Sequence, residues 1–329
     1  MLNKKTAHTE TITPSVPATV TMSGLSEGRY CSTCGVVIAE QEVIPATGSI
    51  GLEIHQGMQN CIVVGPGTCI DTEIYIPAAY KMSSTLFKES ADVEIINHSS
   101  FKSCSHITKI VLPDTINKID DYAFRDCINL NQIIMPESAN YIGKYAFAGC
   151  ANLSAIKIPS GVTKLNYGLF DECTALSYVE LPSSLYYIDT YAFNRCSSLK
   201  SIAIPDNVTY IGSSAFDGCT SLSTVSMPAN LETVGRYAFA GCSSLNSVSL
   251  PDGVTTIEYG AFSLSGLIGI EIPSSVSVIN KHAFLACKNL RSIYFDGTMS
   301  QWKSLYKETG WDESTGNYTV YCNNGNISK

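Results

Sequence analysis

The chain has 329 residues, of which 45% are hydrophobic and only 15% are charged, and its formal net charge is −8. We expect no nucleic-acid partner, because binding nucleic acid or an anionic membrane needs clustered Lys and Arg, which an acidic, charge-poor chain does not supply. We also expect no membrane insertion and no signal peptide in the chain as given, because no stretch approaches the roughly 20 apolar residues of a span and the first ten residues lack an apolar core.

The N-terminal segment contains a Cys-x-x-Cys pair in "EGRYCSTCG", residues 27–35. Cys31 and Cys34 could be half of a structural zinc site, which needs four ligands, or they could form a disulfide. The other candidate ligands stand at no recognisable spacing: His8, His55, Cys61 and Cys69. Apart from zinc at this pair, we expect no cofactor.

Residues 8–48 resemble a short module found in tandem in clostridial-type surface proteins. In that module a further Cys and a His usually accompany the Cys-x-x-Cys pair. Val20 and Ser49 stand at those two places here. This difference weakens the zinc interpretation.

The same segment contains "GLSEG", residues 24–28, which satisfies the Gly-x-Ser-x-Gly pattern of a hydrolase nucleophile. That pattern has meaning only at a strand-to-helix turn in an α/β sheet, and nothing around Ser26 predicts one. We interpret it as a turn. Since no other catalytic motif occurs and the five histidines are scattered, we predict that the protein is not an enzyme.

Residues 61–295 are built from a repeat of about 23 residues. Phenylalanine follows this period with a final step of 22: Phe101, Phe124, Phe147, Phe170, Phe193, Phe216, Phe239, Phe262 and Phe284. In each unit the pattern Leu-x-x-Val-x-Leu-Pro ends in a period-2 alternation, which predicts a short strand stopped by a proline. The Ala-Phe-x-x-Cys segment then crosses the opposite wall.

One such coil buries too little apolar surface to offset the entropy of ordering its backbone, so neighbouring coils must stack. Stacking aligns the strands into a parallel sheet along one wall. Units such as Leu199–Cys219 resemble the leucine-rich repeats of BspA-like bacterial surface proteins. The resemblance implies an α/β-type repeat solenoid, curved and right-handed, with about ten coils. One wall would carry the parallel β-sheet, and the other would be mostly β with irregular and short helical turns.

These patterns divide the chain into four parts. Residues 1–48 form the Cys-x-x-Cys module, 49–60 a linker, 61–295 the solenoid and 296–329 a C-terminal cap. The first coil carries a 13-residue insertion between Pro77 and Phe101. Four apolar residues of the tail are expected to cover the last coil: Trp302, Leu305, Tyr306 and Trp311.

Cysteine also recurs with the repeat, from Cys104 to Cys242, and Ser265 replaces it once before Cys287. These positions lie between inward-facing Phe and Leu residues, so we predict buried, free thiols that react slowly. Stacked, parallel Cβ directions do not suit disulfides between adjacent coils.

Tyrosines occupy positions that the core pattern does not use. Tyr141, Tyr187 and Tyr210 stand five places after a proline, and Tyr178 faces outward from the strand wall. A second set stands nine places after a proline: Tyr122, Tyr145, Tyr191 and Tyr237. Such rings are typical of recognition surfaces, although they could instead shield the Phe layer. We assign ligand binding to the row of Tyr141, Tyr187 and Tyr210 or to Tyr178.

We therefore predict a monomeric, non-catalytic cell-surface or secreted protein that binds an extracellular protein or glycan. The resemblance implies roles in adhesion and host interaction. The alternative is a passive structural spacer that displays another domain.

Overall fold

The structure is a computed structural model that describes residues 48–56, 60–80 and 91–329, together with the backbone of five short strands between residues 10 and 44. Residues 60–80 and 91–329 form a β-solenoid of about ten turns. The described residues contain a single α-helix, Met299–Ser304. The five N-terminal strands pair antiparallel and are Glu10–Thr13, Gly24–Leu25, Gly28–Cys31, Val37–Ala39 and Val43–Ile44.

One wall of the solenoid carries the strands predicted before each proline, and we call it the long-strand wall. Its strands are Glu73–Tyr75, Lys109–Val111, Gln132–Ile134, Ala155–Lys157, Tyr178–Glu180, Ser201–Ala203, Thr224–Ser226, Ser247–Ser249, Gly269–Pro273, Ser292–Asp296 and Thr319–Cys322. Neighbouring strands pair in parallel and in register, with interruptions after Gln132–Ile134, Tyr178–Glu180 and Thr224–Ser226. In most strands a buried residue lies between two less buried ones. The predicted inward and outward positions of this wall are confirmed.

A second row of strands, which we call the short-strand wall, lies between each proline and the following Phe. Its strands are Cys61–Gly65, Ala91–Ile96, Lys118–Ile119, Tyr141–Ile142, Lys164–Leu165, Tyr187–Ile188, Tyr210–Ile211, Thr233–Val234, Thr256–Ile257, Val278–Ile279 and Tyr306–Lys307. They also pair in parallel, with one interruption between Tyr141–Ile142 and Lys164–Leu165. We expected the other wall to be mostly β, and this row of strands agrees with that expectation. The repeat pattern did not place the strands between the proline and the Phe.

The Ala-Phe-x-x-Cys segments form tight turns where short helical turns were expected. Each coil has two residues with positive φ here, such as Tyr122 at 59° and Asp126 at 60°, which an α-helix cannot accommodate. The N–H groups of Tyr122, Phe124 and Asp126 donate to carbonyls of the next coil at 2.7–2.8 Å. The turns are therefore held by neighbouring coils, and the helical description of this wall is not supported.

The nine phenylalanines form a continuous buried column through the solenoid. Adjacent rings lie nearly parallel, with centroids 5.1–5.8 Å apart and interplanar angles of 4–18°. Each Phe is fully buried. Every internal coil thus shares its largest core side chain with both neighbours, which is why the array is stable only when stacked.

The first coil is covered by a strand that precedes it. Glu53–Gln56 pairs antiparallel with Cys61–Gly65, and Ile54 joins the core. This strand lies inside the segment predicted to be a linker, whose boundaries stay a prediction. The insertion in the same coil begins and ends as a hairpin, in which Ala79–Tyr80 pairs with Ala91–Asp92.

The last coil is covered by the tail. The helix Met299–Ser304 begins at a capping box formed by Thr298 and Gln301. It buries Trp302, while Trp311 packs edge-on against Phe284 with centroids 5.8 Å apart. Tyr306 does not take part, because it is exposed on the short-strand wall. The strands Thr319–Cys322 and Gly325–Ser328 then close the long-strand wall as an antiparallel pair.

Candidate binding surfaces

Tyr141, Tyr187 and Tyr210 all lie on the short-strand wall, and we call them the tyrosine row. Tyr187 pairs in register with Tyr210, whereas Tyr141 belongs to the sheet on the other side of the interruption. The structure therefore brings two of the three predicted residues into contact. It places the third on the same wall, two coils away from Tyr187.

Tyr187 is held between two neighbours. Its ring stacks on Tyr210 with centroids 4.5 Å apart and an interplanar angle of 8°. From the preceding coil, the Lys164 Nζ lies 4.5 Å from the Tyr187 centroid and 2.9 Å from Asp189 Oδ2. Burial, together with the charges of Tyr210 and Asp189, raises the pKa of Tyr187 to about 12. Both faces of this ring are covered, so only its edge remains for a ligand.

Tyr141 is more accessible than Tyr187. Its side chain is 38% exposed, and the only cation near its ring among the described residues is the Lys118 ammonium, 5.6 Å from the centroid. Lys118 in turn is paired with Asp120 at 3.0 Å. Tyr141 therefore offers a ligand more ring surface than the stacked pair does.

Tyr178 lies on the opposite, long-strand wall, next to Ala155 in the neighbouring strand. Its side chain is 58% exposed, and within the described part of the chain no ring or cation contacts it. It borders a shallow groove of about 670 Å³ together with Gln132 and Lys157. Of the four predicted residues, Tyr178 has the most freely accessible ring.

The second set of tyrosines, nine places after each proline, packs along the turns. Tyr122 stacks on Tyr145 at 5.4 Å, and Tyr145 meets Tyr167 edge-on at 5.2 Å. Tyr167 in turn meets Tyr191 edge-on at 5.4 Å. These four rings are half-buried, which agrees with a shielding role, whereas Tyr237 of the same set is 37% exposed.

This packing requires glycine at two positions, Gly168 and Gly260. Gly168 has φ +60°, and a Cβ there would lie 2.5 Å from Tyr145 Cδ1. We expect Gly168→Ala to lower the free energy of unfolding by about 1–3 kcal/mol, because it adds both backbone strain and a clash. Urea denaturation followed by circular dichroism measures the loss.

Gly269→Ala is the matched control for that substitution. A Cβ at Gly269 would make only ordinary contacts, the nearest at 3.6 Å from Tyr294 Cε2, and its φ is not positive. We expect a change within about 0.5 kcal/mol. Equal losses in the two variants would show that the Tyr145 ring does not dictate glycine at 168.

The cysteines of the array are free and mostly buried, as predicted. They also have a role that the sequence did not reveal. From Cys127 onward, each thiol donates to the carbonyl oxygen of the Phe in the preceding coil, for example Cys127 to Phe101 at 2.9 Å and Cys219 to Phe193 at 3.1 Å. Where Ser265 replaces cysteine, its hydroxyl lies 3.3 Å from Cys287 Sγ.

Burial also sets the chemistry of these thiols. It raises the pKa of Cys127 to about 12 and raises those of Cys150 and Cys196 well above the usual value. A thiol that stays protonated is neither a nucleophile nor a metal ligand at neutral pH. The stacked cysteines that we call the cysteine ladder are therefore a structural feature: Cys127, Cys150, Cys173, Cys196, Cys219, Cys242 and Cys287.

The Cys-x-x-Cys pair lies outside the described residues: of Cys31 only the backbone is described, and of Cys34 nothing. Its zinc or disulfide stays a prediction. Cys61 and Cys69, two of the other candidate ligands, are buried at the start of the solenoid, and His55 is exposed beside Glu53. Within residues 48–56, 60–80 and 91–329, no three His, Cys, Asp or Glu side chains converge as a metal site would require.

The structure shows one surface that the sequence analysis did not single out, at the C-terminal end of the long-strand wall. A groove of about 480 Å³, which we call the acidic groove, is bordered by Asp252, Glu271, Tyr294, Asp296 and Tyr321. It depends on the strand Thr319–Cys322, which lies in the tail and lacks the repeat motif. The alternation of outward and inward residues in "TVYC", residues 319–322, is the signal that could have placed Tyr321 beside Tyr294.

The repeat now identifies the family. The family described as "BspA type Leucine rich repeat region" matches residues 94–223 and 209–306, in six copies. The chain belongs to this BspA-type leucine-rich repeat family. No curated protein matches the chain.

Solved structures of leucine-rich repeat proteins resemble the chain. A T. pallidum leucine-rich repeat protein is 23% identical, with a TM-score of 0.54, over 59% of this chain and 88% of that one. A leucine-rich cell surface protein of Faecalibacterium prausnitzii is 20% identical, with a TM-score of 0.43, over 78% of this chain and 96% of that one. The pneumococcal vaccine antigen PcpA is 14% identical, with a TM-score of 0.34, over 83% of this chain and 97% of that one. The first of these supports the solenoid fold.

The described residues contain no helix that is long and apolar enough to cross a membrane.

Proposed function

We propose that this BspA-type protein is a non-catalytic cell-surface or secreted protein that binds an extracellular protein or glycan through its solenoid surface. The observation that carries the proposal is the display of exposed tyrosines on both sheet walls, with Tyr178 on one and Tyr141 on the other. Large amphipathic rings bury much area on binding at a small cost in side-chain entropy. The protein acts as a monomer, in adhesion or host interaction.

The backbone beneath these rings is already ordered. Tyr178 lies in a strand paired with Ala155–Lys157, and Tyr141 pairs with Lys118. Preorganised groups lose little further freedom on binding, so even a small number of contacts yields measurable affinity. A right-handed, curved winding, as parallel strand crossovers favour, would present each wall as one continuous surface.

Screening the wild-type protein against immobilised extracellular-matrix proteins and glycans tests the proposal. Binding to any ligand found is then measured for the triple variant Tyr141→Ser, Tyr187→Ser and Tyr210→Ser. We expect the triple variant to abolish the interaction, while raising salt to about 0.5 M changes it little. The reason is that the cations beside the row, Lys118 and Lys164, are each already paired with an aspartate. The thermal midpoint should fall by only a few degrees, which circular dichroism checks.

Tyr178→Ser serves as the matched variant on the other wall. Loss of binding in this variant alone would place the site on the long-strand wall and still support a binding protein. Binding that survives both sets of substitutions but collapses in salt would contradict the tyrosine assignment. If no ligand in the screen binds the wild-type protein, the passive spacer becomes the better description.

A further inference from the structure

The C-terminal end of the long-strand wall is a sheet face that nothing in the described residues covers. The acidic groove there adjoins a second groove of about 330 Å³, which we call the hydroxyl groove and which is bordered by Thr224, Ser247 and Gly269. Ser249, Glu271 and Tyr294 border both. The two grooves thus form one surface that crosses five strands.

The charge of this surface has one sign. Three carboxylates border the acidic groove, and no Lys, Arg or His among the described residues borders either groove. Asp296 is partly engaged, since its Oδ1 accepts a hydrogen bond from Asn323 Nδ2 at 3.1 Å. The exposed carboxylates of Asp252 and Glu271 make no hydrogen bond or ion pair within the described residues. They are available to a cation.

The two tyrosines restrict the occupant further. Tyr294 and Tyr321 stack on each other with centroids 5.2 Å apart and an interplanar angle of 18°, and they are 49% and 39% exposed. The outer side of Tyr294 lies over Gly269. The mutual stacking covers one face of each ring, so Tyr294 presents its edge, its hydroxyl and its outer face to the hydroxyl groove. A phenol hydroxyl can hydrogen-bond to a peptide backbone, and an aromatic face attracts the cation of a Lys or Arg side chain.

The dimensions fit a short extended peptide. Five strands spaced about 4.8 Å apart span about 19 Å, which an extended chain of about six residues covers. The floor is small and hydroxylic, with Ser247, Ser249 and Gly269 between the larger side chains. A backbone can approach such a floor closely, and alternate side chains of an extended peptide would point toward the carboxylates.

We propose that this surface is a docking site for a basic, extended peptide segment whose Lys or Arg side chains pair with Asp252 and Glu271. The site is separate from the tyrosine row and from Tyr178. It does not depend on the adhesion role proposed above, and its binding should be strongly reduced by salt because the pairs are exposed.

The test uses the full chain and a fluorescein-labelled hexapeptide of alternating Lys and Ser, with binding measured by fluorescence anisotropy at 50 and 200 mM salt. We expect Asp252→Asn with Glu271→Gln to weaken binding about tenfold at 50 mM salt, as the loss of two exposed ion pairs implies. Ser249→Lys places a cation on the floor and should abolish binding. Circular dichroism at the same temperature checks that each variant remains folded.

Glu180→Gln with Glu232→Gln is the matched control, because it removes the same charge from exposed positions that border neither groove. We expect this control to weaken binding less than twofold. Equal losses in the two double variants would overturn the proposal in favour of nonspecific attraction to an acidic protein. Absence of peptide binding would also overturn the proposal. It would be overturned as well if the neutral glycan chitohexaose bound more tightly than the peptide and Ser249→Lys weakened that binding.

Discussion

Raising the pH above 9 is expected to unfold the solenoid over a narrow range, between about pH 9.5 and 10.5. Burial raises the folded-state pKa values of seven thiols of the cysteine ladder above the ordinary value of 9.0. These thiols are Cys127, Cys150, Cys173, Cys196, Cys219, Cys242 and Cys287. In the unfolded chain they ionise near pH 9, whereas in the folded chain they lose their protons only at higher pH.

The sign follows from this difference. Below about pH 9 both states bind all seven protons, and the stability is fully present; above it the unfolded state loses protons that the folded state retains. Each thiol then lowers the free energy of unfolding by about 1.4 kcal/mol per pH unit, and seven lower it by about 10. A total stability of roughly 5–15 kcal/mol is therefore lost before the pKa of Cys127, about 12, is reached.

Urea titrations at pH 7, 9 and 9.5 in the presence of a reductant measure the slope, with circular dichroism as the signal. The variant Cys196→Ser with Cys219→Ser provides the control, since Ser265 shows that a hydroxyl is accommodated at this position of a coil. It should reduce the slope by about two sevenths, because two groups no longer titrate. An unchanged slope would mean that the tyrosines, rather than the thiols, cause the alkaline loss.

The core of this protein could be predicted from the sequence because its signal is periodic. Phe193 and its equivalents recur at a step of 23, and only side chains that stack on one another in successive coils need such strict spacing. In the coils up to Ser247–Ser249, the proline that follows the long strand marks where its pairing ends. Since alternate residues of a strand face opposite sides, the outward position of Tyr178 followed directly.

The turns could not be predicted in the same way. Positive φ is usually signalled by glycine, as at Gly168, but the equivalent positions also hold Tyr145 and Tyr191, whose conformation is imposed by hydrogen bonds to the next coil. Sequence spacing alone therefore left open whether this wall was helical. It also left open whether the tyrosines there packed against one another.

The candidate site was predicted only in part for a related reason. Spacing placed Tyr187 and Tyr210 in one column, but it could not show that Lys164 covers the free face of Tyr187. That contact depends on which side chain the preceding coil supplies. The acidic groove was missed because Tyr321 comes from the tail. The tail lies outside the 23-residue repeat that revealed the other coils.

Replacing Phe193 by Ala is expected to lower the free energy of unfolding by about 3–5 kcal/mol. The ring is fully buried and stacks on Phe170 and Phe216, with centroids 5.4 and 5.2 Å away, so its removal opens a cavity shared by three coils. Urea denaturation at pH 7 measures the loss. Phe193→Leu, which leaves a smaller void, should cost less, and Ile128→Ala at an exposed position should stay within about 0.5 kcal/mol. A loss below about 1 kcal/mol for Phe193→Ala would contradict a solenoid whose coils are stabilised by their shared Phe column.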